Sequence, residues 1–279
     1  MPSGAGERLL WDDRIARARR LASEHPDAAD LLTFYASLAE YQASLLKKGS
    51  GVLPAPTTTG EKDSRLLFRE RLDIDFILSA IPDFLAWLQQ NAPANLAAST
   101  NQLRVADGTQ REIVLERYLD GDDDESGESL DAFVVEVVLQ PFAEQLAKSE
   151  STRGSRLGSL RTRCFCCGGA PVLGVLRDEG HGVKRSLRCG LCLTEYDYLR
   201  VVCPACDEQR FDALPIYTAD RFGHVRIEAC DSCRTYLKTI DLTRDGTAIP
   251  VVDDLASVSL DLWARDRGYQ RLRPNLLRV

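Results

Sequence analysis

The sequence has no uninterrupted apolar run near the ~18 residues of a membrane-spanning helix, so no membrane insertion is expected. It has no nucleophile elbow, P-loop, dinucleotide fingerprint or His-Glu-x-x-His pair, and no carboxylate pair in a context that marks catalysis. The usual hydrolase, nucleotide-binding and dehydrogenase chemistries are therefore unsupported, and the chain is not expected to be an enzyme. The N-terminal residues offer no apolar signal region and no small-residue cleavage site. Arg19-Arg20 runs into LASEHP, which reads as a helix surface and not as an export signal. A cytoplasmic protein in a reducing compartment is expected. Cysteine is absent from the first 163 residues, yet all nine cysteines fall between Cys164 and Cys233. In a reducing compartment, spaced cysteines serve as metal ligands or catalytic thiols more often than as disulfides.

Charge is also uneven. Residues 1–150 carry 15 Lys and Arg against 26 Asp and Glu, a net of −11, whereas residues 151–279 carry 20 against 16, a net of +4. A basic half invites a nucleic-acid reading. If eight cysteines bind two divalent ions as thiolates, however, that half becomes neutral and the invitation weakens.

The first half reads as helices. Trp11, Ile15, Ala18 and Ala22 share one face, and a second stripe runs Leu31, Phe34, Tyr35, Leu38, Tyr41, Leu45 to a Lys47-Lys48-Gly49 stop. Residues 49–63 read as a loop. Helix resumes near Arg65 and reaches Ile81, where Pro82 breaks it or starts a new one; Pro93 ends that segment. Weaker helices are expected near 94–105 and 110–119, and an acidic loop at 120–129. Leu130, Phe133, Val134, Val137, Val138 and Phe142 mark one more helix, to Lys148, with β-branched content that leaves strand open. Residues 149–163 read as a linker. Short β-type segments then alternate with cysteine pairs, and residues 254–267 return to helix before Gly268.

Four pairs have C-x-x-C spacing: Cys164/Cys167, Cys189/Cys192, Cys203/Cys206 and Cys230/Cys233. The gaps inside successive pairs of pairs are 21 and 23 residues, close to the spacing of a four-cysteine structural site. A two-residue gap lets a tight turn aim two sulfurs at one ion, and the longer gap brings a second knuckle back. Val183–Tyr196 aligns with His224–Tyr236, so the two units form a repeat. The expected fold class is α+β: an all-helical domain (1–148), a linker (149–163), two tandem rubredoxin- or zinc-ribbon-like β modules (164–202 and 203–245), and a C-terminal helix and tail (246–279).

Four sulfurs suit zinc or mononuclear iron, up to two ions per chain. Rubredoxin-type knuckles usually place Gly after the second cysteine. Only Gly168 does so here; Leu193, Asp207 and Arg234 fill the other places, which leans toward zinc or toward an iron site with altered tuning. Cys166, inside the first knuckle, reads as a filler or as a redox thiol. His181 and His224 read as loop histidines, with a ligand role as the rival. With four ligands each, both sites are closed to substrate, as structural or electron-transfer centres are.

Three stretches resemble the bacterial formate dehydrogenase accessory protein family, FdhE: WDDRIARARRLA with PDAADLLTFYASLAEYQASL (residues 11–22 and 26–45), the four knuckles (164–233), and DDLASVSLDLWARDRGYQRLRPNLL (253–277). The resemblance implies a cytoplasmic, iron-binding maturation chaperone. Its partner would be the catalytic, molybdenum-containing subunit of respiratory formate dehydrogenase. The family's cysteine pairs map onto the four pairs above, while Cys166 departs from its commoner Cys-Pro-x-Cys-Gly form. A homodimer is left open. Rival readings are a rubredoxin-like electron carrier or redox sensor and a zinc-ribbon nucleic-acid binder. The latter would use Tyr196, Tyr198, Phe222 and Tyr236 near Arg200, Arg221 and Arg226; no nucleic-acid partner is expected.

Overall fold

The computed structural model describes residues 4–49, 68–121, 129–150, 162–180 and 182–279, with side chains from Trp11 onward and, at the end of the sixth helix, as far as Lys148. The loop at 49–63 apart from Gly49, the helix start at Arg65, most of the acidic loop and of the linker, and His181 lie outside the described residues.

Helices α1 (Gly4–Glu24) and α2 (Ala29–Lys48) pack together as a hairpin, as two amphipathic helices so closely joined should. Trp11, Ile15 and Ala18 are buried, joined by Leu21, while Ala22 is half-buried. Residues 68–70 are helical, the chain leaves the helix at 71–73, and helix α3 (Ile74–Asn91) begins where the Asp73 carboxylate accepts the Phe76 amide at 3.0 Å and caps it. Pro82 neither breaks α3 nor starts a new helix. Ile77, Ala80 and Ile81 before it and Phe84, Leu85 and Leu88 after it are all buried, and that packing outweighs the lost backbone bond. Short α4 (Ala94–Ser99) gives way to 3₁₀ turns. Helix α5 (Gly108–Asp120) is capped by Asp107 and stopped at Gly121, whose φ is +77°. Helix α6 (Leu130–Glu150) settles the helix-or-strand ambiguity. Ala132 to Phe142 are buried without interruption, so its β-branched residues reflect a helix covered on every side.

The second half forms one mixed sheet. Its strands are β1 (Pro171–Glu179), β2 (Gly182–Cys189), β3 (Glu195–Asp197), β4 (Ile216–Thr218), β5 (Val225–Ala229), β6 (Thr235–Asp241) and β7 (Gln270–Arg271). The order is β3-β2-β1-β6-β5-β4, with β7 also on β6. Each cysteine unit is thus an antiparallel meander, as the repeat predicts. The two meanders do not stand apart, because β1 and β6 pair in parallel through Gly174–Thr239, Val175–Ile240 and Leu176–Asp241. Strands β4 and β7 are too short to show a pattern in the sequence.

The expected single C-terminal helix is two, α7 (Pro250–Ala256) and α8 (Val258–Asp266). Pro250 occupies the first turn of α7, and Ser257 divides the pair, its hydroxyl bonding back to the Asp253 and Asp254 carbonyls. Fully buried Lys238 on β6 donates to the Asp254 carbonyl at 2.6 Å and pairs with the Asp254 and Asp261 carboxylates at 2.9 and 2.5 Å. Arg271 meets the same two carboxylates at 2.7 and 3.0 Å. At the other end, Arg14 on α1 makes a two-pronged pair with Glu144 on α6 at 2.9 and 2.8 Å.

The seam between the meanders requires glycine at 174. A Cβ built there would lie 2.2 Å from Thr239 Oγ1 and 3.1 Å from its Cβ. Gly174→Ala should cost about 1–3 kcal/mol by overpacking. The double variant with Thr239→Ala should recover a large part of that loss, which urea denaturation of all four chains measures.

Candidate metal centres

Each cysteine pair sits on a turn built the same way. Amides of Cys164, Cys189, Cys203 and Cys230 donate to the carbonyls of Gly169, Thr194, Glu208 and Thr235, five residues on, at 2.9–3.0 Å. The residue after the second cysteine is left-handed at all four knuckles: Gly168 (φ +71°), Leu193 (+56°), Asp207 (+59°) and Arg234 (+60°). Three non-glycine residues therefore hold a conformation that costs them roughly 1 kcal/mol each. The geometry that glycine would favour is kept without it, so the missing glycines do not separate zinc from iron.

These turns bring the sulfurs together in two groups. In the first, Sγ atoms of Cys164 and Cys192 are 3.6 Å apart, Cys167 and Cys189 3.4 Å, and Cys167 and Cys192 3.5 Å. In the second, Cys203 and Cys233, and Cys206 and Cys230, are each 3.7 Å apart. All four sulfurs of each group lie within 4.8 Å of one another. A tetrahedron with metal–sulfur bonds of ~2.3 Å has edges of about 3.8 Å, so both groups fit a four-coordinate ion such as zinc. Amides of Cys166 and Ala205 point at Cys164 and Cys203 sulfur at 3.4 Å, a donor arrangement that favours thiolate over thiol.

The two groups differ in setting. The first is buried throughout and belongs to the same hydrophobic core as Val134, Val138, Phe142 and Leu146 of α6. Contact with Cys164, then with Cys189 and Cys192, and burial push the Cys167 thiol well above its ordinary range. Burial leads the same upward shift at Cys203 in the second group. Cys189 and Cys233 shift the opposite way, so each group divides its thiols between proton-holding and thiolate members, and an ion displaces the protons that remain. In the second group Cys206 is exposed and Cys233 half-exposed. Beside it, the Ser232 hydroxyl donates to Glu208 at 2.6 Å, and with the Arg210 amide holds that carboxyl down at about 2, bridging the two knuckles.

The remaining candidates fall elsewhere. Cys166 is half-buried and outside the four-sulfur group. His224 Nε2 lies 2.8 Å from Asp253, away from the cysteines. His224, Asp245 and Asp253 come close together, but Arg17 already bonds both carboxylates, at 2.9 Å to Asp245 and 3.1 Å to Asp253. Tyr196, Tyr198, Phe222 and Tyr236 are buried, so they offer no stacking face to a nucleic acid. Arg226 pairs with Glu228 at 2.5 Å and Arg221 with Asp27. The sequence reading missed Glu208 and also Gly190, the knuckle residue between Cys189 and Leu191, whose meaning appears only with the tail in place.

Metal uptake should release protons, and lowering the pH should strip ions from both groups. A strong chelator should empty the exposed second group well before the first. Native mass spectrometry over a chelation time course checks this; simultaneous loss of both ions would contradict it.

Sequence families described as "FdhE, N-terminal" and "FdhE, C-terminal domain" match residues 5–151 and 201–278. The first cysteine group falls between these segments, but whole-chain relatives span it. The FdhE homolog of Aquifex aeolicus (strain VF5) is 27% identical over 266 residues, covering 92% of this chain and 91% of its own. That of Pseudomonas aeruginosa is 33% identical over 292 residues, covering 97% and 90%. The crystal structure of the FdhE protein from Pseudomonas aeruginosa matches with a TM-score of 0.74 at 29% identity, over 99% of this chain and 96% of that one. Two family segments in the right order, relatives along nearly the whole length and a shared fold carry one conclusion: the chain belongs to the FdhE family.

Proposed function

We propose that this chain is a cytoplasmic, non-catalytic maturation factor for respiratory formate dehydrogenase, binding that enzyme's catalytic subunit and carrying two tetrathiolate metal centres. The ligands are Cys164, Cys167, Cys189 and Cys192 in the first centre and Cys203, Cys206, Cys230 and Cys233 in the second. The ions are iron or zinc, up to two per chain. The observation that carries this reading is the closure of both groups. Four sulfurs converge on each point, which uses every position of a four-coordinate ion and leaves none for substrate. Family membership supplies the link to formate dehydrogenase. Among the described residues, no helix is long and apolar enough to cross a membrane.

What the cysteines do in this reading is structural. They pin four turns of a sheet whose outer strands β3 and β4 are only three residues long. A rubredoxin-like electron carrier is the second reading, favoured by the amide–sulfur contacts and the exposure of Cys206. It requires iron that cycles reversibly.

Tagged chain, purified without oxygen, should retain the catalytic subunit of formate dehydrogenase, and deletion of its gene should abolish formate dehydrogenase activity. No co-purification and unchanged activity would contradict the maturation role. Metal analysis of the same sample separates the second reading: a colourless protein with two zinc ions removes it.

A further inference from the structure

The two centres match in sulfur geometry and differ in nearby charge. Within the repeat, Gly190 corresponds to Asp231. Each follows the first cysteine of its knuckle, and their amides donate to Ala170 and Ala213 carbonyls at 3.0 and 2.9 Å. Asp231 places a carboxylate beside the second centre, where Arg234 pairs with it at 3.0 Å and the Tyr269 hydroxyl donates to it at 2.5 Å. Gly190 instead leaves a gap that Arg273 fills. A Cβ at residue 190 would lie 2.7 Å from Arg273 Nε, 3.0 Å from its Cδ and 3.2 Å from its Cζ.

Arg273 reaches this place from the C-terminal tail, just past β7. Its Nη2 is held on the helical domain by Glu136 at 3.1 Å and by the Tyr118 hydroxyl at 3.2 Å. Glu136 is 1% exposed and also pairs with Arg278 at 2.8 Å, so the tail is clamped twice to α6. Arg273 Nε is buried and has no hydrogen-bond partner among the described residues. A buried donor without a partner costs about 1–3 kcal/mol, and a buried negative cluster costs more unless it is compensated. Four thiolates around a divalent ion carry a net charge of −2, in a group with no exposed cysteine.

We propose that Arg273 is the charge-compensating residue of the first centre, and that metal loading there is coupled to docking of the C-terminal tail on the helical domain. The inference rests on the reading of Cys164, Cys167, Cys189 and Cys192 as metal ligands. A cation against the Gly190 knuckle lowers the cost of assembling four thiolates. By linkage, the loaded centre must then hold the tail more tightly. At the second centre the corresponding residue is Asp231, a carboxylate paired with Arg234.

The test uses the full chain with Cys206→Ser and Cys233→Ser, which leaves only the first centre, and zinc as the probe. Arg273→Met, which keeps the packed stem, should weaken zinc binding about 10–100-fold in chelator competition, and Arg273→Lys should restore most of it. Zinc should slow hydrogen exchange of residues 270–279 in the parent chain and not in the Met variant. Unchanged affinity in Arg273→Met, failure of Lys to restore it, or tail exchange indifferent to zinc would overturn the coupling. A parent chain that binds no zinc would overturn the metal reading itself, and the coupling with it.

Discussion

Convergence of four cysteine sulfurs at one point, repeated twice, is the constraint on which the second half of this protein depends. Each meander has a short outer strand, and three of the four knuckle turns of the two meanders hold a non-glycine residue in left-handed conformation. Backbone hydrogen bonds close these turns, and the turns bring the sulfurs they carry to a common point. The first group also reaches into the helical half. Cys164, Cys167, Cys189 and Cys192 share a core with Phe133, Val138, Phe142 and Leu146, so the sheet and the helices are not separable bodies joined by a tether.

Buried ion pairs complete that union. Arg14 and Glu144 join α1 to α6, Arg17 joins α1 to Asp253 on α7, and Lys238 and Arg271 enclose Asp254 and Asp261 between sheet and tail. Asn275 adds a donor to Asp254 at 2.7 Å. Pairs of this kind gain little over an apolar replacement, but losing one partner is expensive, of the order of 3–5 kcal/mol. Their effect here is to specify register. Each joins residues ten or more positions apart, and Arg17 with Asp253 joins the two ends of the chain. The tail is thereby committed to a path past both cysteine groups, with Tyr269 and Arg273 each touching one knuckle.

Much of this was legible in the sequence. The eight cysteines, their grouping and the internal repeat follow from spacing alone, because a two-residue knuckle and a β excursion leave a periodic record. The helical hairpin followed from Trp11, Ile15, Leu38 and Leu45. Other features were hidden for physical reasons. Pro82 reads as a break because local sequence does not report the core that holds α3 straight. The burial of Lys238 was hidden because its partners Asp254, Asp261 and Arg271 lie far from it in sequence. The parallel pairing of β1 with β6 depends on Gly174 facing Thr239, a contact 65 residues apart that no local pattern encodes. Arg273 looks like one more tail cation until Gly190 opens a place for it.

The most direct test of this account is a zinc titration of the reduced, metal-free chain, followed together by native mass spectrometry and by hydrogen exchange of residues 164–241. The account predicts two ions per chain and exchange protection that rises across both meanders as they bind, with Cys167→Ser and Cys206→Ser each removing one ion. A fully reduced chain that binds no metal, yet already shows full protection across the sheet, would contradict it.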